Sequence, residues 1–332
     1  MTRLVSGFLI FTLIAGCSDR GLYTRTFTVM GTVGRIFIAK SPGSRGTVET
    51  AIAKMKDVER IFNVYDPASE IVRVNGADPD EWIGVSNDFA AVLERSFQIH
   101  RLTDGAFDVS VGSAERAWGF YGRRRSPVPD AREIAEIKRE TGMEHVSLEK
   151  RAGKYYVRRG GVRLDFNAIA KGYAVDEAVK VLRGGGIRDA LVEAGGDMYC
   201  LGSPRGRGWT IGLRDPEKRH AVLASVTLSD RAIATSGGYE KFIRIKGETF
   251  AHIMDPGTAA PVRNNVLSAT AVSDSCTAAD ALATAFFVLG PEESLRIAES
   301  SADIDCIIIC EVQGEKEHYV SPGLDEAVRF SE

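Results

Sequence analysis

The pattern of apolar and polar positions divides this chain into a short leader and a long body of mixed elements. Residues 21–40 alternate with a two-residue period, Phe27-Thr28-Val29 and Arg35-Ile36-Phe37-Ile38 flanking Met30-Gly31-Thr32, which predicts a strand pair. Ser41 to Gly46 is rich in turn formers. From Thr47 the apolar positions Val48, Ala51, Ile52, Met55, Val58, Ile61 and Phe62 recur at helical spacing, with Thr47 as the expected cap. Further helices are predicted over 88–100, from Asp130 to near Gly142, and over 168–183, the last stopped by Gly184-Gly185-Gly186. Strands then dominate to about Ser273, at 190–192, 209–213, 222–228, 242–245 and 266–272. A helix over 277–289, another after Pro291 and a final strand over 304–309 complete the reading. Strands and helices mix without regular βαβ alternation and without an internal repeat. The expected class is therefore α+β, with mixed or antiparallel sheets and packed helices.

The leader obeys different rules. Residues 4–16 read LVSGFLIFTLIAG, uncharged, behind Arg3. A bilayer-spanning helix needs ~20 apolar residues, so this run fits the h-region of a secretory signal peptide instead. Ile14-Ala15-Gly16-Cys17 resembles a bacterial lipobox, in which the cysteine is acylated and becomes the mature N-terminus. The plainer alternative is an ordinary signal peptide that carries a cysteine by chance. The expected organisation is a signal peptide at 1–16, a lipidated Cys17 with a short tether over 17–25, and a domain of two intimately packed lobes over 26–330. Such a protein is exported and anchored to a membrane facing the periplasm, and Ser18 favours the outer membrane over the inner.

Composition narrows the function classes. The chain has 332 residues, 44% of them apolar and 26% charged, which excludes wholesale disorder. A formal net charge of −3 argues against a nucleic-acid partner held by its phosphates. Five cysteines are too few for a disulfide scaffold. The run Gly122-Arg123-Arg124-Arg125-Ser126-Pro127 is basic but reads as a solvated loop.

Candidate chemistry sits in four segments. In the helix over 277–289, Leu282, Ala285, Phe286 and Leu289 form an apolar stripe, and Asp280 and Thr284 fall nearly opposite, with Thr277 beside them. That face would normally meet water. Here Ala278, Ala279, Ala281, Ala283 and Phe287 supply no long polar side chains, so a carboxylate and a hydroxyl suggest an oxygen site for a hard cation. The second segment runs from Asp165 to Asp176. Asp165 and Asn167 can cap its helix, and Lys171 in the first turn is unfavourable unless negative charge, such as a phosphate, sits there. Third, Glu193-Ala194-Gly195-Gly196-Asp197 follows a strand, and its glycines allow close approach of a ligand. Fourth, Ala234-Thr235-Ser236-Gly237-Gly238-Tyr239 precedes Ala251-His252-Ile253-Met254-Asp255-Pro256. A lone histidine there reads as a packed group or as a catalyst.

In this order the segments resemble the ApbE family, the FAD:protein FMN transferases. The likeness runs from Met30-Gly31-Thr32 to Asp280–Thr284 and includes Tyr65, Ser69-Glu70, Asp104-Gly105-Ala106-Phe107-Asp108 and Trp118-Gly119-Phe120. It implies a T-fold-like architecture and a Mg²⁺-dependent transfer of FMN from FAD to a Thr or Ser hydroxyl of a target protein, releasing AMP. It also implies that Asp280, Thr284 and the backbone carbonyl of Ala168 hold the magnesium. Met30, Tyr65, Ala106, Phe107, Asp108, Asp165, Lys171, His252 and Ile253 would contact FAD. Asp280 acts catalytically through the metal, and His252 is the expected base for the acceptor hydroxyl, with Asp255 or a metal-bound group as alternatives. Implied acceptors are membrane redox subunits of the sodium-pumping quinone reductase or related electron-transport type, or secreted flavoproteins. Two other readings share the same residues: a Mg²⁺-dependent FAD pyrophosphatase, and a lipoprotein that binds FAD without turnover. One departure stands out, because the family's Asp-Pro-x-Thr-Gly is Asp255-Pro256-Gly257-Thr258-Ala259 here.

With Cys17 as an anchor, Cys200, Cys276, Cys306 and Cys310 remain. Cys306 and Cys310 cannot pair within one strand, because four residues span ~13 Å and a disulfide needs Cα atoms under ~7 Å apart. Cys276 is expected to pack at the start of its helix.

Overall fold

The computed structural model describes residues 22–39, 43–121, 128–218, 220–238, 242–245 and 248–331, with the backbone alone at 205, 242–245, 248 and 249. The leader with Cys17, the basic 122–125 run and Tyr239 lie outside the described residues. Eight strands pair side by side in one sheet, in the order Leu22–Val29, Thr32–Ala39, Ala190–Ala194, Asp197–Leu201, Arg231–Gly237, Val266–Ser273, Ile304–Val312 and Glu315–Val320. Every neighbouring pair is antiparallel. The strand period explains how this sheet is used. Ala190, Val192 and Ala194 join the core beneath the helices, whereas Leu191 joins a second core with Trp209, Ile211, Leu213 and Val226. Both faces are covered, so the central strands read as continuous apolar runs rather than alternations.

The helices are α1 (Ser44–Phe62), α2 (Glu70–Gly76), α3 (Asn87–Leu102), α4 (Gly112–Trp118), α5 (Ala131–Arg139), α6 (Ala170–Gly184), α7 (Cys276–Leu289) and α8 (Pro291–Glu299). Helices α1, α6 and α7 share the large core. A small sheet of Trp209–Arg214, Val222–Leu228 and Val328–Phe330 covers the opposite face. Another small sheet, of Ile83–Val85, Lys154–Arg158 and Ser147–Arg151, packs on α3. A third apolar cluster (Trp118, Ile137, Phe250, Met254 and Ala259) joins α4 and α5 to the hairpin of Met254–Asp255 and Ala260–Pro261.

Several expectations shift. The α1 helix begins at Ser44 behind Gly43, which takes φ +79°, so Thr47 lies inside the helix and is not its cap. The first strand begins at Leu22, within the segment read as tether. The strand expected to be last extends to Val312 and is followed by two more, because Gln313 and Gly314 turn the chain back on itself. Helix α6 starts at Ala170 rather than Ala168, and neither Asp165 nor Asn167 caps it. Asp165 instead accepts the Asn167 amide at 2.7 Å, a local turn that competes with the helix.

Candidate functional site

The α6–α7 crossing builds the charged part of the site. A Cβ on Gly172 would lie 2.2 Å from the Cys276 carbonyl oxygen and 2.9 Å from Asp280 Cβ, so only glycine lets the two helices approach this closely. The approach is locked from both sides. Asp176 on α6 accepts the amides of Cys276 and Thr277 at 2.8 and 2.9 Å, while Ser275 accepts that of Ala278 at 3.2 Å. Together they satisfy the orphan donors at the start of α7, each such cap contributing ~1 kcal/mol. Thr277, expected beside Asp280, also bonds Asp176.

Asp280 is consequently held at both oxygens. Its Oδ2 accepts the Gly172 amide at 3.0 Å, and its Oδ1 accepts Lys171 Nζ at 3.0 Å. Lys171 also pairs with Asp197 Oδ2 at 2.7 Å. The negative charge that Lys171 requires is thus supplied by two carboxylates, each no more than 4% exposed. Burial would lower the lysine's pKa, but Asp197 and Asp280 outweigh it and hold the ammonium well above its ordinary value. One turn along α7, Thr284 Oγ1 lies 3.2 Å from Ser236 Oγ and 3.5 Å from the Asp280 carbonyl.

This geometry also sets apart the carbonyl of Ala168. In a regular helix the Gly172 amide would donate to it. Here that amide serves Asp280, Phe166 O takes the amides of Ile169 and Ala170, and Tyr173 N bonds Ile169 O. Among the described residues, no cluster of three or more His, Cys, Asp or Glu side chains could hold a metal ion. A cation here must use mixed oxygen donors. Asp280, Thr284 and the Ala168 carbonyl are such a set, and their chemistry suits a hard ion such as Mg²⁺.

A second centre lies at the other end of the 165–171 turn. Asp165, 6% exposed, accepts the Tyr121 hydroxyl at Oδ2, and Asn167 Nδ2 donates to both. Burial raises the Asp165 carboxyl above its usual range, and the donors from Tyr121 and Asn167 offset this only in part. Tyr65 is 73% exposed, its ring 6.1 Å from that of Tyr121. The Asp165 amide bonds Val109 O at 2.7 Å, which ties this centre to Ala106, Phe107 and Asp108. Asp108 accepts the Ser110 amide at 2.6 Å, and His100 Nδ1 donates to Phe107 O at 2.9 Å. Burial raises the Asp108 carboxyl against those contacts.

The remaining expected residues occupy the rim. Met30 sits in the hairpin turn of the first two strands at φ +50°. His252 is half-buried between Phe250 and Ile253, both 5% exposed. Ala251 lies 3.7 Å from where a Gly238 Cβ would stand, with Phe287 of α7 at 3.4 Å, so the His252 segment abuts that helix. Asp255 accepts Gly257 N at 2.9 Å and Thr258 Oγ1 at 2.8 Å. Both of its oxygens serve the turn, which leaves it poorly placed as a base. Ala259 adopts φ +54° where the resemblance leads one to expect glycine, held by the bond from Trp118 Nε1 to its carbonyl at 3.0 Å. The left-handed turn survives the loss of glycine.

Sequence reasoning missed Tyr121 and Asp176 and gave Asp197 no role of its own. Nothing in local spacing marks Tyr121. Asp176 lay inside a flagged segment, but its partners on α7 are a hundred residues away. Cys200, Cys276, Cys306 and Cys310 are all buried and unpaired with one another, and burial pushes the Cys306 thiol up to about 12. None is poised as a nucleophile. Among the described residues no helix is long and apolar enough to cross a membrane.

Comparison with known proteins shows which family and fold this chain shares. The profile of the ApbE family matches residues 30–308. A FAD:protein FMN transferase of Vibrio cholerae serotype O1 is 32% identical over 318 residues, covering 92% of this chain and 93% of that one. A FAD:protein FMN transferase of Treponema pallidum is 29% identical over 338 residues, covering 95% and 92%. Among solved structures, the flavin transferase ApbE from Vibrio cholerae matches with a TM-score of 0.81 at 29% identity, over 92% of this chain and 99% of that one. The ApbE protein of Thermotoga maritima matches with a TM-score of 0.80 at 31% identity, over 90% and 97%.

Proposed function

The chain belongs to the ApbE family, and from that premise we propose that it is a FAD:protein FMN transferase whose reaction runs on a Mg²⁺ ion held by Asp280, Thr284 and the Ala168 carbonyl. The observation that carries this reading is the α6–α7 crossing, where Asp280, one turn before the Thr284 hydroxyl, is fixed by the Gly172 amide and a half-buried lysine, which leaves the Ala168 carbonyl without its helical donor. A Mg²⁺ ion held by these three groups would supply positive charge against the pyrophosphate and the AMP leaving group.

This chain's own residues do the rest. Lys171 binds the FAD phosphates. Met30, Tyr65, Ala106 to Asp108, Asp165, His252 and Ile253 hold the flavin nucleotide in place. His252 takes the proton of a Thr or Ser hydroxyl on the acceptor as that oxygen bonds to the FMN phosphorus. The bond from that phosphorus to the AMP oxygen breaks, and AMP departs with the electron pair. Most of the rate comes from placement and electrostatics.

The acceptors are redox subunits of sodium-pumping quinone reductase or related electron-transport type, or secreted flavoproteins. The signal peptide at 1–16 directs export, and lipidation of Cys17 anchors the 26–330 domain to a periplasm-facing membrane. Incubation of the full chain in detergent with FAD, Mg²⁺ and a candidate acceptor should yield a covalently fluorescent acceptor band and AMP. AMP and FMN without labelling would indicate hydrolysis instead, and no AMP would indicate binding alone. Asp280→Ala should lower turnover at least ~1,000-fold, equivalent to ~4 kcal/mol of transition-state stabilisation. Retained activity would refute the metal assignment.

A further inference from the structure

We infer that Lys171 is an internal counter-ion competing with the metal for Asp280, and that Asp197 receives the lysine when the metal arrives, so that divalent cation and FAD pyrophosphate bind cooperatively. The inference rests on the metal assignment above. Its starting point is a shared ammonium. Asp197 and Asp280 are nearly inaccessible to water, and Lys171 lies between them at 2.7 and 3.0 Å. One ammonium thus serves two carboxylates in a place where charge is costly to leave unbalanced.

Both Asp280 oxygens already have donors, Lys171 Nζ on one and the Gly172 amide on the other. The amide belongs to a backbone wedged against α7 and cannot withdraw. The lysine is flexible and 26% exposed, so it is the partner that can move. A divalent cation on Asp280 repels the ammonium, and the shorter contact to Asp197 keeps it nearby rather than releasing it to solvent. With the metal bound and the lysine still nearby, the centre carries two more positive charges than before and attracts an anionic pyrophosphate. The same charge change makes the metal tighter once the anion is present, as thermodynamic linkage requires. Asp197 is in this sense a positioning residue acting through Lys171.

Two variants predict opposite signs. Mn²⁺ binding to the full chain in detergent, followed by electron paramagnetic resonance without FAD, should tighten about tenfold or more in Lys171→Met, because Asp280 then loses the ammonium that competes with the metal. In Asp197→Asn it should weaken about tenfold, because Lys171 is left with Asp280 alone. General disruption would weaken both. In the wild type, Mn²⁺ should tighten FAD binding measured by flavin fluorescence, and this effect should shrink in Lys171→Met, where no ammonium is released from Asp280 toward the pyrophosphate. Equal or weaker Mn²⁺ binding in Lys171→Met overturns the inference, as does unchanged or tighter binding in Asp197→Asn. If Lys171→Met does not fold, Lys171→Gln and the Asp197→Asn result decide. Mn²⁺ binding to Asp280→Ala at wild-type strength would instead refute the metal assignment itself, whatever the lysine variants do.

Discussion

The centres built on Lys171 and on Asp165 stand at opposite ends of one turn, 165–171, and both bury carboxylates, yet they satisfy them by opposite means. Around Lys171 the compensation is ionic, two carboxylates sharing one ammonium. Around Asp165 the hydrogen-bond donors are neutral, a phenol, a side-chain amide and a backbone amide. The ionic centre can exchange one cation for another with little rearrangement. The Asp165 centre is fixed by directional hydrogen bonds, which suits a surface that orients a ligand. The chain thus keeps its movable charge at the α6–α7 crossing and its directional hydrogen bonds around Asp165.

The contrast can be broken most forcefully at Gly172. Alanine there meets backbone rather than a yielding side chain, so the helices must part. Gly172→Ala should destabilise the fold by about 3 kcal/mol in urea denaturation and abolish Mn²⁺ binding, while Asp165 keeps its partners. A stable variant that binds metal normally would show that the crossing does not set the site.

The converse change is Tyr121→Phe. It removes a donor from a buried carboxylate and should lower stability by ~2 kcal/mol in the same assay, leaving Mn²⁺ affinity within about twofold. A parallel loss of metal affinity would mean that the two centres are mechanically one.

The pH response distinguishes them more finely. The folded-state pKa of Asp165 is raised. Its contribution to stability is therefore fully present below the ordinary carboxyl value and is lost as pH rises through the folded value. Lys171 is also raised, but as a base its contribution is complete below the ordinary lysine value and is lost only at strongly alkaline pH. Asp165→Asn should therefore flatten part of the fall in Tm between mildly acidic and neutral pH. Lys171→Met should leave that slope unchanged. An unaltered slope in Asp165→Asn would show that Asp108, Asp176 and Glu193, whose carboxyls burial also raises, carry the whole response. The smallest effect is expected for Asn167→Ala, below ~1 kcal/mol, because the side chain is exposed and only supports the Tyr121–Asp165 contact.

Much of this was legible in the chain, for reasons tied to particular residues. The 3.6-residue period locates α7 to within a residue, and the small side chains around Asp280 already mark that face as dry. Lys171 in a first turn correctly demands negative charge nearby. What supplies that charge was not legible, because Asp197 and Asp280 are 26 and 109 residues away and meet the lysine only through the sheet and the crossing. The start of α6 was misplaced for a related reason. Asp165 has the composition of a cap, but a tertiary amide-to-carboxylate bond from Gly172 to Asp280 competes with the first helical bond and delays the helix. Likewise Ala259 breaks the glycine pattern of its turn, yet Trp118 and the surrounding apolar cluster hold it in the left-handed conformation at a cost of about 1–2 kcal/mol.

By itself the sequence determined the class of fold, the family and the identity of the oxygen and nitrogen groups available for chemistry, since these depend on periodicity, composition and ordered local motifs. Only the tertiary structure decided which of those groups face one another and in what state of charge. A buried carboxylate takes its partner, its proton affinity and its freedom to bind a cation from whatever the packing brings within about 3 Å, and that contact is made by residues distant along the chain.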